Sequence, residues 1–235
     1  GASGNTTVGG CPNLADFNGD GTIEIGTAGF NTYLVLDFDA TALTPALAMT
    51  ELWSKVTNDG SQRTGSTVFD FQGDGPNEVV YRDEDTLFVY NGVDGTVLSS
   101  IPCAAATRTD YPVVVDVDGD GSTNIVVTCG NKIETFESTV FPWVKCRKVW
   151  NQHAYFVVNI NDDLTVPQVQ QDHTVGFPQG APVNYPLNGF LIQSAILTSS
   201  GTPTYSASDV SPTSIIADFS NCGTAVNTID VTLDF

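Results

Sequence analysis

The chain has 235 residues, 41% of them hydrophobic, which is enough for one large or two small domains with a buried core and excludes a disordered chain. Asp and Glu number 27 against 8 Lys and Arg, a net charge of −19 that repels nucleic acid and anionic lipid and attracts cations wherever carboxylates cluster. No stretch is long and apolar enough to insert in a membrane as a helix.

The opening "GASGNTTVGG" is small and polar and does not read as a signal peptide, so an exported chain is expected as a mature or excised product. Asn5 lies in the one glycosylation sequon. The first recognisable unit is "CPNLADFNGDGTIEIGTAG" (11–29), which reads as an apolar strand, an acidic glycine loop and a second apolar strand. It continues with strands "TYLVLDFD" (32–39) and "ELWSKVT" (51–57), and only "ALTPALAMTELW" between them hints at helix, limited by Pro45. The second unit is "GSTVFDFQGDGPNEVVYRD" (65–83), followed by strands "TLFVYNG" (86–92) and "TVLSSIP" (96–102) joined at the turn "VDG". The third is "YPVVVDVDGDGSTNIVVTC" (111–129), followed by "KIETFES" (132–138) and "WVKCRKVW" (143–150).

The loops begin at Asp16, Asp70 and Asp116, spacings of 54 and 46 residues. A period of about 50 residues with four strands per unit predicts an all-β fold of propeller-type blades or a solenoid, with about three blades over residues 1–150. The texture changes at residue 151. Residues 151–188 read as a post-blade segment and a Pro-, Gly- and Asn-rich linker, and residues 189–235 as a partial Ig-like β unit or a strand-exchanging tail.

Asp-x-Asp-x-Asp-Gly chemistry supplies the oxygens that calcium takes: side chains at positions one, three and five, a carbonyl at seven and a closing group at nine. In loop one these are Asp16, Asn18, Asp20, the carbonyl of Thr22 and Glu24. In loop two they are Asp70, Gln72, Asp74, the carbonyl of Pro76 and Glu78, with Gln72 longer than the usual ligand. In loop three they are Asp116, Asp118, Asp120, the carbonyl of Ser122 and Asn124. A bound Ca2+ would offset the mutual repulsion of these carboxylates. The alternative is an acidic, Asx-rich turn that needs no metal. An EF-hand is excluded, because strands flank the loop and its closing acid falls at nine rather than twelve. "NINDD" (159–163) has oxygens at alternate positions but Leu164 where the glycine belongs.

The five cysteines, the scarcity of lysine and the loop chemistry suit an extracellular protein, where disulfides persist. Cys129 with Cys146 is the first pairing expected and Cys11 with Cys103 the second, leaving Cys222 free or bonded to another chain. The alternative is five buried thiols. For catalysis there is little: His153 reads as packed against Trp150 and Tyr155, His173 as exposed, and no nucleophile, zinc or phosphate-loop motif occurs. Trp53, Trp143, Trp150, Tyr81 and Tyr90 could stack on sugar rings, but read as packing between blades.

"ADFNGDGTIEI", "FDFQGDGPNEVVY" and "VDVDGDGSTNIVV", with "LFVYNGVDGTVL" after the second, resemble the FG-GAP/VCBS-type repeats of integrin-like β-propellers. "KVWNQHAYFVVNINDDLTVP" is similar to the segment after the last blade in large secreted bacterial surface proteins carrying such repeats. The resemblance implies calcium in the blade hairpins, held by Asp16, Asn18, Asp20 and Glu24, by Asp70, Asp74 and Glu78, and by Asp116, Asp118 and Asp120. Gln72 and Asn124 depart from the acids usual in that pattern. A ring needs at least four blades, so three repeats imply a fragment, an open array, or blades completed between chains. The expected function is an extracellular, calcium-stabilised structural or adhesive protein without catalysis, a subunit of a cell-surface filament or assembly. Its partners would be copies of itself, neighbouring surface proteins or glycans. The alternatives are a carbohydrate-binding propeller module and a polysaccharide-processing enzyme.

Overall fold

The computed structural model describes residues 9–29, 31–39, 41–42, 48–170 and 189–205. Asn5, His173, Cys222, Pro45, the linker over 171–188 and the tail over 206–235 lie outside them. Among the described residues the fold is all-β, with a single 3-10 turn at Val157–Asn159. Among the described residues no helix is long and apolar enough to cross a membrane.

Three antiparallel meanders make up the body. Sheet one is β1 (Asn13–Ala15), β2 (Glu24–Gly29), β3 (Thr32–Phe38) and β4 (Met49–Val56). Sheet two is β5 (Ser66–Phe69), β6 (Glu78–Arg82), β7 (Thr86–Tyr90) and β8 (Val97–Pro102). Sheet three is β9 (Val113–Val115), β10 (Asn124–Cys129) and β11 (Lys132–Phe136). The stretch that hinted at helix ends as strand: Met49 to Trp53 pairs with β3 and includes the start of the strand expected over 51–57.

The acidic loop occupies the same hairpin in each sheet. Ala15 pairs with Glu24, Phe69 with Glu78 and Val115 with Asn124, so position nine always opens the second strand opposite the residue before position one. That common register sets the three loops in equivalent places.

Alternation of side chains directs the core. Phe17, Ala28, Tyr33, Val35 and Trp53 of sheet one pack on Val68, Val79, Tyr81 and Tyr90 of sheet two. The opposite face of sheet two, with Phe69, Phe71, Val80, Leu87 and Val89, packs on Val114, Ile125, Val127 and Phe136 of sheet three. Sheet two is covered on both faces, and all five residues of β6 are buried, so its sequence does not alternate. The first strands lie side by side, β1 against β5 and β5 against β9. Among the described residues the sheets form an open row; no closed ring is present.

Two features differ from the sequence expectation. The disulfide joins Cys103, just past β8, to Cys129 at the end of β10. Cys146 is a buried thiol and Cys11 a half-buried one. Cys129 is taken by Cys103, and "WVKCRKVW" does not add a fourth strand beside β11. Its amides and carbonyls turn instead to other segments: Val144 N donates to Phe71 O at 3.0 Å, Lys145 N to Thr204 O at 2.7 Å and Arg147 N to Ser194 O at 3.0 Å.

Those acceptors include a strap, residues 189–205, that runs across all three sheets. Phe190 exchanges both backbone bonds with Leu14, at 3.0 and 2.8 Å, and Val68 bonds Leu191 O at 3.1 Å and receives Gln193 N at 3.2 Å. Gln193, buried, then donates through Nε2 to Val114 O at 2.9 Å. The strap thereby satisfies the edges of the first strands, which an open sheet leaves unpaired.

Candidate metal centre

Each loop is folded around its first aspartate. Asp16 accepts from Gly19 N at 2.7 Å and Gly21 N at 2.8 Å, Asp70 from Gly73 N at 2.6 Å and Gly75 N at 3.0 Å, and Asp116 from Gly119 N at 2.7 Å and Gly121 N at 3.1 Å. The six glycines all have positive φ, from 75° to 109°, a conformation other residues adopt at a cost. This is why two glycines recur at fixed places behind the aspartate.

The ninth position anchors the loop from below. Glu24 accepts from Phe17 N at 2.7 Å, Glu78 from Phe71 N at 2.9 Å and Asn124 from Val117 N at 3.0 Å. Glu24, Glu78 and Asn124 are buried. Desolvation pushes the Glu24 carboxyl up to about 7 against the opposing bond from Phe17, and that of Glu78 up to about 8 against the bond from Phe71.

The loops part company above that shared base. In loop one, carboxylate oxygens of Asp16, Asp20 and Glu24 lie within 4.8 Å of one another. Asn18 Oδ1 accepts from Asp20 N at 2.8 Å, and Thr22 donates its amide to Asp20 Oδ1 at 2.8 Å, so the five expected residues of this loop are drawn together. Hydrogen bonds from Thr22 hold the Asp20 carboxyl below its ordinary value. Among the described residues no Lys or Arg forms an ion pair with Asp16, Asp20 or Glu24. Crowded carboxylates, one of them fully buried, and only oxygen donors suit a hard divalent cation such as calcium and not zinc.

Loop two is roofed by protein. Gln72 gives its carbonyl to Tyr205 Oη at 2.9 Å, and a Cβ on Gly73 would run into Tyr205, Val144 and Pro203. Asp70 is buried and desolvation raises its carboxyl; Asp74 donates its amide to Asp70 at 3.2 Å. Pro76 packs against Gly19 of loop one. Asp70, Asp74 and Glu78 do not form the tight group that loop one does.

Loop three brings Asp116, Asp118 and Asp120 within 4.8 Å. Ser122 N donates to Asp120 at 2.6 Å, and desolvation raises the Asp118 carboxyl. Asn124 is turned down to Val117 and toward Glu137, whose Oε2 lies 3.4 Å from its Nδ2. Lys148 Nζ lies 3.5 Å from Asp116 Oδ2. Sequence reasoning overlooked this lysine. Its signal was the crowding of Lys145, Arg147 and Lys148 into one segment of a chain with only 8 basic residues.

Elsewhere, "NINDD" is used locally: Asp162 pairs with Arg147 at 2.7 Å and Asp163 accepts from Thr165 N at 3.0 Å. His153 is exposed, with Nε2 2.7 Å from Thr109 O, and its ring meets Tyr111 edge-on. Trp53, Trp143, Tyr81 and Tyr90 are buried, and Trp150, half-buried, stacks on Tyr155. Asp59, also overlooked, is buried and accepts from Ser61, Gln62, Thr64, Tyr81 and Thr107.

No family model matches the sequence, and no curated protein matches it. Among solved structures the chain is similar to the crystal structure of the V. cholerae biofilm matrix protein Bap1, with a TM-score of 0.58 and 24% identity. The similarity covers 77% of this chain and 28% of that one. It is a likeness of fold.

Proposed function

We propose that the chain is the calcium-stabilised, propeller-type part of an extracellular structural or adhesive protein, with no catalytic role. The carrying observation is loop one, where Asp16, Asp20 and buried Glu24 converge and, among the described residues, pair with no Lys or Arg. Calcium, held there by Asp16, Asn18, Asp20, Glu24 and the Thr22 carbonyl, would neutralise the cluster and add its binding energy to folding. The blade-like hairpins, the disulfide and a fold neighbour that is a biofilm matrix protein support an extracellular setting.

An assembling role draws support from position two. Phe17 and Phe71 are each wholly buried between sheets, whereas Val117, in the same place on sheet three, is 53% exposed. Ile133, on the same sheet, is 73% exposed. A further blade, from a longer chain or a second copy, would cover that face as sheets two and three cover the others.

The test is a thermal melt of the full chain in chelator and in millimolar calcium. Calcium is expected to raise Tm by about 5 °C or more, and Asp20→Asn to remove most of that gain. An unchanged Tm overturns the reading.

A further inference from the structure

The three loops hold equal numbers of acids but unequal surroundings. Three acids lie in loop one (Asp16, Asp20, Glu24), three in loop two (Asp70, Asp74, Glu78) and three in loop three (Asp116, Asp118, Asp120). At loop three an ammonium group stands against each glycine. A Cβ on Gly119 would lie 3.2 Å from Lys148 Nζ, and one on Gly121 would lie 3.1 Å from Lys145 Nζ. At loop one the corresponding neighbours are Pro76 and, for Gly21, nothing within 4 Å. At loop two they are Tyr205, Val144 and Pro203, and for Gly75 nothing within 4 Å.

Lys148 does more than approach. Its Nζ donates to the Gly119 carbonyl at 3.2 Å and lies 3.5 Å from Asp116 Oδ2. The lysine is half in water, with 55% of its side chain exposed, while that of Asp116 is 1% exposed. The ammonium is therefore fixed at the mouth of the loop, against the one acid that organises its backbone.

We infer that Lys148 is a built-in counter-ion of loop three, standing at Asp116 where an added cation would otherwise supply the neutralising charge. Loop three then keeps its fold without metal and binds calcium more weakly than loop one. The first half needs no metal; the second rests on the calcium reading proposed above. The segment carrying the lysine is held by Phe71, Ser194 and Thr204, so the strap and sheet two together present the cation to sheet three.

The test uses the full chain with Lys148→Gln, and Lys132→Gln as a matched loss of charge on an exposed strand residue. In chelator, Lys148→Gln is expected to lower Tm by about 2–4 °C, and Lys132→Gln to leave it unchanged. Calcium titration is then run in an Asp20→Asn background, which silences loop one. Adding Lys148→Gln is expected to tighten binding by about tenfold, and Asp118→Asn on top to abolish the tightened site, which assigns it to loop three. An unchanged Tm in chelator overturns the counter-ion role. A lowered Tm with unchanged or weaker calcium affinity overturns the competition. Absence of calcium binding in every variant overturns the calcium reading instead, and the melts in chelator still decide the role of Lys148.

Discussion

The side-chain amide of Asn77 donates to the main-chain carbonyl of Asp16 at 2.6 Å, so the eighth position of loop two holds the first position of loop one. The next pair of loops is joined less directly: Thr123, the eighth position of loop three, donates to Val144 O at 2.6 Å, and Val144 N donates to Phe71 O at 3.0 Å. The acidic loops are thus linked sheet to sheet by polar side chains beside the candidate ligands.

Replacing Asn77 should loosen that link. Asn77 is buried, and its removal deprives the Asp16 carbonyl of this donor. Asn77→Ala is expected to cost about 1–3 kcal/mol in urea unfolding. A loss within error of zero would show that the bond contributes nothing.

The metal-free protein should weaken as the pH rises. Glu78 is pushed up to about 8 and Glu24 to about 7, above their ordinary 4.5, so the folded state holds protons that the unfolded state releases. This contribution is complete below pH 4.5 and is lost as the pH passes through about 7 and then 8. Melting in chelator between pH 5.5 and 8.5 should show Tm falling by about 5 °C or more, and Glu78→Gln should flatten much of the slope. A Tm that rises across this window contradicts the assignment.

Reduction should separate sheet two from sheet three. Cys103 and Cys129 close a loop of 26 residues between neighbouring sheets. Chain-entropy reasoning puts the loss on reduction, or in a Cys103→Ser, Cys129→Ser double variant, at about 3 kcal/mol. Urea unfolding with and without reductant reads it directly, and the double variant should be insensitive to reductant.

Asp59 should rank among the most sensitive acids in the chain. Burial alone would raise its carboxyl, but donors from Ser61, Gln62, Thr107 and Thr64 outweigh that and hold it below its ordinary value. Asp59→Ala would leave several buried donors unmatched, including the Tyr81 hydroxyl at 3.2 Å. The expected cost is about 3 kcal/mol or more. By contrast, Asp39→Ala, at an exposed turn, should change stability by less than about 0.5 kcal/mol.

What could be read from the sequence was what is local. Alternating apolar residues on either side of an Asp-Gly-rich loop define a hairpin within some twenty residues, and β1–β2, β5–β6 and β9–β10 are such hairpins. The aspartate-and-glycine arrangement is equally local, because the acceptor and its donors are within five residues of each other. The strap was not legible, since Phe190 meets Leu14 through backbone groups, which carry no sequence signal. The disulfide was mispaired for the same reason: the path of "WVKCRKVW" is set by Phe71, Ser194 and Thr204, not by β11 beside it. Nor does a string of letters tell that Glu24 and Glu78 lie beneath their loops rather than above them.

The strap also fixes an order of events. Asn13 donates to Leu191 O across a separation of 178 residues, a closure possible only after all three sheets have been synthesised. Until then the outer rim of β1 has no strap to pair with, and the nascent chain is open to mispairing with a neighbour. The final docking step is therefore a long-range one, and the slowest phase of maturation is expected at this seam rather than in any of the hairpins it fastens.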